Sequence, residues 1–174
     1  MILAIQSKKD EKFLKTKTVD FDFKKFKKKE ITELLGKMRK MMRAAKGIGL
    51  SANQIGLAFK IFVAEVPNAQ GEMKSYAIFN PSIEKSGGEK LLLEEGCLSV
   101  PGMFGQVERF ERVVLSGYDK NGKLLKIKAW GLLAHVFQHE VDHLNGIVFT
   151  SKAKNMYETP TSKRLTEREE SPKK

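Results

Sequence analysis

The most informative segment of this chain is GLLAHVFQHEVDHL, residues 131–144. Its apolar residues recur with the spacing of an amphipathic helix. On such a helix His139 and His143 lie on one face, about 6 Å apart along the axis. Both imidazoles can then reach a single metal ion, at about 2.0–2.1 Å. Glu140 follows the first histidine, where its carboxylate can act as a general base toward a metal-bound water.

His135 is the third histidine of the chain and lies four residues before His139. It is eight residues from His143, about 12 Å along a helix axis, so one ion cannot bridge those two. It could share an ion only with His139, which would move Glu140 away from its role. We therefore expect His135 to line the site or to lie exposed at its lip.

Two histidines require a third protein ligand, and Cys97 is the better candidate. As the single cysteine it cannot form an internal disulfide, and a thiolate binds borderline or soft divalent ions well. Gly96 would let the backbone come close to a ligand. The alternative is Glu167, because a thermolysin-like protease would use a glutamate about 20 or more residues after the histidines. Glu167 lies beyond Pro160, in a segment whose composition predicts disorder.

Outside this segment the sequence predicts an α+β fold in which antiparallel strands precede the helix that carries the two histidines. A helix is predicted over residues 30–46, with Gly47 as its left-handed C-cap, and Asn145-Gly146 is expected to stop the second helix. The runs predicted as strands are 59–66, 75–86, 107–118, 123–129 and 147–150. Pro81 breaks the second of these or places it at an edge. Asn121-Gly122 predicts a hairpin between the third and fourth.

Composition narrows the class of protein further. The chain has 174 residues, 41% hydrophobic and 30% charged, as in a globular domain. No apolar run reaches 18 residues, so no membrane span is expected. We predict one catalytic domain over residues 1–150 and a flexible basic tail over 151–174. The apolar start lacks a preceding basic region and a cleavage site, so a signal peptide is not predicted and the expected location is the cytoplasm.

The formal net charge of +11 is concentrated near the two ends. Residues 8–29 hold ten lysines against four acids, and residues 151–174 hold seven Lys or Arg against four Glu. Such an excess favours polyanionic surroundings. It is compatible with a solvated surface or with contact to the ribosome surface. No zinc-finger spacing or aromatic RNA-binding signature accompanies the charge, so the charge does not define the function. A DNA partner is not predicted.

Three short motifs make the chain resemble the peptide deformylases. They are Gly47-Ile48-Gly49-Leu50-Ser51-Ala52-Asn53-Gln54, then Glu95-Gly96-Cys97-Leu98-Ser99, then Gln138-His139-Glu140-Val141-Asp142-His143. They occur in that family's order and at its approximate separations. The likeness extends from about residue 10 to 150, through Asn80-Pro81 and Ser99-Val100-Pro101-Gly102. One motif would be moderate support, whereas three together are highly specific.

The resemblance implies mixed or antiparallel strands wrapped around a central helix that carries the two histidines. It implies a hydrolase that removes the formyl group from formylmethionine of nascent peptides. The implied metal ligands are Cys97, His139 and His143, the implied general base is Glu140, and the implied oxyanion donors are Gln54 and the backbone N–H of Leu98. The implied substrate-binding residues include Gly49, close to the formyl group, and Gly96. The methionine pocket would be lined by Ile48, Leu132, His135 and Val136. Glu95 would lie near the mouth of that pocket and pair with Arg109.

The resemblance also implies one divalent ion. The family's usual ion is ferrous iron, with zinc, nickel or cobalt able to occupy the site. A tetrahedral site of one Cys, two His and a water suits zinc, so the sequence does not choose between these metals. We expect the protein to be a monomer.

Two residues depart from the family pattern. Ser51 stands where alanine is common, and its hydroxyl should be tolerated if it finds a partner. His135 stands where an aliphatic residue or arginine is usual, which predicts a more polar pocket rim. Two other functions stay open from the residues alone: a small zinc endopeptidase with a different third ligand, and a basic RNA- or ribosome-binding module with a structural ion.

Overall fold

A computed structural model describes residues 1–68 and 70–159 of the chain. Its helices are α1 (Lys8–Leu14), α2 (Lys28–Ala44) and α3 (Gly131–Leu144). Its strands are β1 (Gly49–Ser51), β2 (Ile61–Pro67), β3 (Met73–Cys97), β4 (Val100–Tyr118), β5 (Leu124–Trp130) and β6 (Lys154–Glu158). Short 3₁₀ turns cover Phe23–Lys25, Ala52–Ile55 and Phe149–Ser151. The predicted α+β class is confirmed.

The six strands form one sheet in the order β1-β2-β3-β4-β5, with β6 paired to β4. Every pairing between these strands is antiparallel. β3 is longer than predicted and lies between β2 and β4 rather than at an edge. Pro81 falls at a register shift between Phe79 and Ser82, because proline has no N–H to donate to the ladder. The predicted break is therefore a local irregularity inside one strand.

The side chains of β2 point alternately to the two faces of the sheet, and this explains where the helices lie. Phe62, Ala64 and Val66 pack in a cluster with the inner face of α3, which contributes Phe137 and Val141 among others. The intervening Ile61 and Val63 pack instead in a second cluster with α2. Because successive strand residues point to opposite faces, α3 and α2 cover the two sides of β2. The packing of its apolar residues thus fixes α3, while His139 and His143 point away from that packed face.

The ends of the helices test the cap predictions. α3 has the bounds that its spacing predicts, and Gly146 stops it with φ 75°. α2 spans Lys28–Ala44, and the left-handed residue after it is Lys46 (φ 54°), so the prediction that Gly47 is the left-handed cap is wrong. A side chain at Gly47 would instead meet Leu98, with 2.7 Å from the added Cβ to Leu98 Cδ1. The glycine leaves space for the Leu98 side chain, a tertiary contact that a local pattern does not contain.

The C-terminal predictions need correction. The run 147–150 is not a strand; residues 149–151 form a 3₁₀ turn. The prediction of a flexible tail from residue 151 is wrong for residues 154–158, which pair with β4 as β6. Tyr157 fixes this strand, because its ring stacks on Phe104 and its hydroxyl donates to Glu94. The rest of the predicted tail, residues 160–174, lies outside the described residues, as does Glu167.

No helix within residues 1–68 and 70–159 is long and apolar enough to cross a membrane.

We expect Gly146→Ala to destabilise the protein. Gly146 has φ 75°, and an added Cβ would lie 2.5 Å from the carbonyl oxygen of Lys15. The left-handed conformation alone costs a non-glycine residue about 1–2 kcal/mol, and the overlap adds to that. The matched control is Gly36→Ala inside α2, where nothing lies within 4 Å of an added Cβ. It should stabilise the protein by about 0.5–1 kcal/mol. Urea unfolding of both variants measures the difference, and equal effects would contradict this account.

Candidate metal centre

The structure brings the three predicted metal ligands together. The ligand atoms of Cys97, His139 and His143 all lie within 4.8 Å of one another. The Sγ of Cys97 is 3.1 Å from Nε2 of His143, which is 3.2 Å from Nε2 of His139. A tetrahedral ion with bonds of about 2.0 and 2.3 Å needs separations of about 3.3–3.6 Å between its ligand atoms. The observed arrangement is close to that, so these residues fit a bound divalent ion.

The number of protein ligands bears on the kind of metal site. Within the described residues this cluster holds three ligating side chains, one thiol and two imidazoles. Structural zinc sites are closed by four protein ligands, whereas catalytic sites keep one position for water or substrate. Three ligands therefore favour a catalytic site over a structural one.

Cys97 lies at the end of β3, where a tight turn leads into β4. It pairs with Val100 across this turn, and the backbone N–H of Ser99 points to its sulfur at 3.3 Å. Burial alone would raise the pKa of the Cys97 thiol, but the imidazoles of His143 and His139 lower it to about 5. The thiolate is the form that binds metal. An added Cβ at Gly96 would lie 2.7 Å from the Phe104 ring, so this glycine makes room for a side chain of β4. The expected approach of its backbone to a ligand stays a prediction.

Glu95 connects this turn to α3. Its Oε1 accepts from Nε of Arg109 at 2.6 Å and from Nε2 of His135 at 2.8 Å. Its Oε2 accepts from Nη2 of Arg109 at 3.0 Å and from Nδ1 of His139 at 2.9 Å. Burial would raise the pKa of Glu95, but His135, His139 and Arg109 hold it well below its usual range. The predicted pairing with Arg109 is confirmed.

Glu95 is buried beside the metal ligands. Its side chain is only 2% exposed, and its Oε2 contacts Nδ1 of His139. Its expected place near the mouth of a substrate pocket stays a prediction. A carboxylate on Nδ1 of His139 fixes the proton there and leaves Nε2 free for the ion. His135 also points at Glu95 and keeps 16% of its side chain exposed. Since Glu95 occupies its Nε2, His135 does not join the ligand cluster.

Two further residues hold Arg109 or a metal ligand in place, and they were not identified from the sequence. Nη1 of Arg109 donates to Oδ2 of Asp142 at 2.5 Å, and Lys152 also binds that carboxylate. Asn53 is fully buried and donates from Nδ2 to the backbone oxygen of His143 at 2.6 Å. Both Asp142 and Asn53 lie inside the quoted motifs, but the local pattern gives no sign of their partners.

Glu140 lies against β1. It is buried, and burial raises the pKa of its carboxyl, while the imidazoles of His139 and His143 oppose that. A raised pKa suits a group that must accept a proton near neutral pH. Gly49 was expected beside the formyl group; in the structure an added Cβ there would overlap the Glu140 carboxylate. Gly49 therefore provides space for the predicted general base.

Gln54 is held on both sides of its amide. Its Oε1 accepts from the backbone N–H of Ser51 at 2.9 Å, and its Nε2 donates to Oγ of Ser99 at 3.1 Å. The same Nε2 lies 3.5 Å from Sγ of Cys97, which places the amide at the metal site. Leu98 lies in the turn after Cys97. The Gln54 amide is thus near the ligands, and Leu98 directly follows one of them in the chain. Their action on an oxyanion stays a prediction.

The residues predicted to line the methionine pocket differ in exposure. Ile48 and Leu132 are 43% and 46% exposed, which is unusual for large apolar side chains. Val136 is buried in the cluster under α3. The contact of these side chains with a substrate stays a prediction.

Comparison with known proteins agrees with this geometry. The family model described as polypeptide deformylase matches residues 2–159. A peptide deformylase of Symbiobacterium thermophilum is 42% identical over 140 residues, which are 80% of this chain and 62% of that protein. Peptide deformylase 1 of Bacillus anthracis is 39% identical over 130 residues, covering 75% of this chain and 81% of that protein.

Solved structures agree as well. A peptide deformylase of Synechococcus elongatus in complex with actinonin has a TM-score of 0.79 and 32% identity, covering 89% of this chain and 80% of that one. A probable peptide deformylase of Synechococcus phage S-SSM7 has a TM-score of 0.77 and 36% identity, covering 87% and 98%. The chain belongs to the polypeptide deformylase family.

Proposed function

We propose that this protein hydrolyses the N-terminal formyl group of formylmethionyl peptides and releases formate. The observation that carries the proposal is the convergence of Cys97, His139 and His143 beside the buried carboxylate of Glu140. Family membership supports the same reaction. The sequence resemblance had implied both the reaction and these residues.

The residues divide the chemistry between them. A divalent ion held by Cys97, His139 and His143 would lower the pKa of a water and polarise the formyl oxygen. Glu140 accepts a proton from the attacking water, and its raised pKa lets it hold that proton. It then gives the proton to the leaving amine of the peptide, so one carboxyl serves both steps.

Charge that develops on the formyl oxygen needs donors. The Gln54 amide and the backbone N–H of Leu98 would supply them. The contacts of Gln54 with Ser51 and Ser99 hold its amide in place before substrate arrives. One donor of this kind is worth about 2.7–4 kcal/mol in comparable hydrolases.

The finer assignments are proposals too. The ion is proposed to be ferrous iron, with zinc, nickel or cobalt able to replace it. The enzyme is proposed to act as a cytoplasmic monomer on nascent peptides. Its ten lysines within residues 8–29 are proposed to contact the ribosome surface. Ribosome binding that did not weaken with added salt would argue against that contact.

The competing functions have less support. A zinc endopeptidase would need a third ligand other than Cys97, whereas the sulfur of Cys97 lies 3.1 Å from His143. A module with a structural ion would need a fourth protein ligand, and the described part of the chain supplies three to this cluster.

Glu140→Ala should keep the metal and lose at least about a hundredfold in kcat on formyl-Met-Ala-Ser, because general acid–base catalysis contributes about 10²–10⁴-fold. Formate release measures the rate, and metal analysis of the purified protein serves as the control. Turnover close to that of the unaltered protein would contradict the role of Glu140. No formate from the unaltered protein would reject the proposed function itself.

Cys97→Ser should lose most of its bound metal, since a neutral hydroxyl replaces a thiolate ligand. The matched comparison is Glu167→Ala, which removes the third ligand that an endopeptidase of the thermolysin type would use. We expect that variant to retain both metal and activity. The opposite pattern of metal content would favour the endopeptidase.

His135→Leu should change the side-chain preference of the enzyme. Its imidazole is partly exposed and polar, so an aliphatic replacement makes the pocket rim more apolar. The measurement is the ratio of kcat/KM for formyl-methionyl and formyl-norleucyl peptides. An unchanged ratio would mean that His135 acts only on Glu95.

A further inference from the structure

Ser51 makes a contact that the reaction scheme above does not use. Its side chain is fully buried, and its Oγ lies 2.6 Å from Oε2 of Glu140. The backbone oxygen of Glu140 is the second acceptor in reach, at 3.1 Å. Ser51 belongs to β1 and Glu140 to α3, 89 positions apart in sequence, so this contact joins two elements across the site.

The Glu140 carboxylate is confined from two directions by β1. Gly49 leaves space against Oε1, where an added Cβ would overlap, and Ser51 binds Oε2. Side chains two residues apart on a strand point to the same face. On one face of this three-residue strand, Gly49 therefore has no side chain and Ser51 has a hydroxyl. The glycine lies against Oε1 of Glu140 and the hydroxyl against Oε2.

We propose that Ser51 is a positioning residue for Glu140, whose hydroxyl fixes the orientation of the general base. The proposal rests on the deformylase function proposed above. A hydrogen bond from a hydroxyl to a buried carboxylate is stronger than a neutral one and restricts rotation of the carboxylate. A correctly oriented base raises kcat without changing the binding of substrate.

The test is Ser51→Ala in the metal-loaded enzyme, with formyl-Met-Ala-Ser as substrate. Alanine is the common residue at this position in the family, so the variant should fold. We expect kcat to fall by about tenfold, the value of one hydrogen bond to a charged group at its lower limit. KM should change by less than about twofold, because the residue acts on the base and not on substrate. Bound metal should stay the same.

The matched control is Ser75→Ala. Ser75 also donates its hydroxyl to a glutamate, Oε1 of Glu65 at 2.7 Å, but on the exposed start of β3. It should leave kcat unchanged. Unchanged kcat in Ser51→Ala would overturn the proposal, and so would a loss of kcat that matches a loss of metal. A failure of the deformylase function itself is distinguished by the unaltered enzyme, which would then release no formate.

A double-mutant cycle on stability tests the contact independently of activity. Ser51→Ala, Glu140→Ala and the double variant are unfolded in urea. If the hydroxyl acts on the carboxylate, removing it should cost less in the Glu140→Ala background than in the unaltered protein. Equal costs in both backgrounds would mean that Ser51 only fills space, and would overturn the proposal.

Discussion

The site depends on one buried carboxylate, that of Glu95. Four donors surround its two oxygens, two from Arg109 on β4 and one each from His135 and His139 on α3. Burying an unpaired charge costs several kcal/mol by order of magnitude, so a carboxylate at this depth requires these partners. The two bonds from His135 and His139 fix α3 relative to the β3–β4 turn that carries Cys97, and the two from Arg109 join Glu95 to β4. The position of the metal ligands is therefore a consequence of satisfying Glu95.

The residues that orient the metal ligands are different from the residues that would bind the ion. Glu95 orients His139 from behind, and Asn53 binds the backbone of His143. The ligands and the base come from two elements, the end of β3 and the helix α3, while β1 contacts the carboxylate of the base. Each element is held by packing or by a hydrogen bond that does not involve an ion. These contacts restrict the ligand side chains, which lowers the cost of ordering them around an ion.

The sequence predicted those parts of the structure that depend on local periodicity or on short motifs. The bounds of α3, the Asn121-Gly122 hairpin and the convergence of Cys97 with His139 and His143 belong to this group. The side chains that pack against Gly47, Gly49 and Gly96 could not be predicted, because Leu98, Glu140 and Phe104 lie outside the local pattern around each glycine. The strand β6 was missed since its residues are exposed and lack apolar alternation. Its pairing depends on β4, not on its own pattern.

The three ligands come from two parts of the chain, and Cys97 is 46 positions from His143. An unfolded chain cannot bring them together without closing that loop, so an ion binds almost only to the folded form. Ligands that prefer the native state add to its stability in proportion to the logarithm of their free concentration. The melting temperature of this protein should therefore rise with the free concentration of the ion. A shortage of the ion would shorten the lifetime of the folded protein as well as remove its activity.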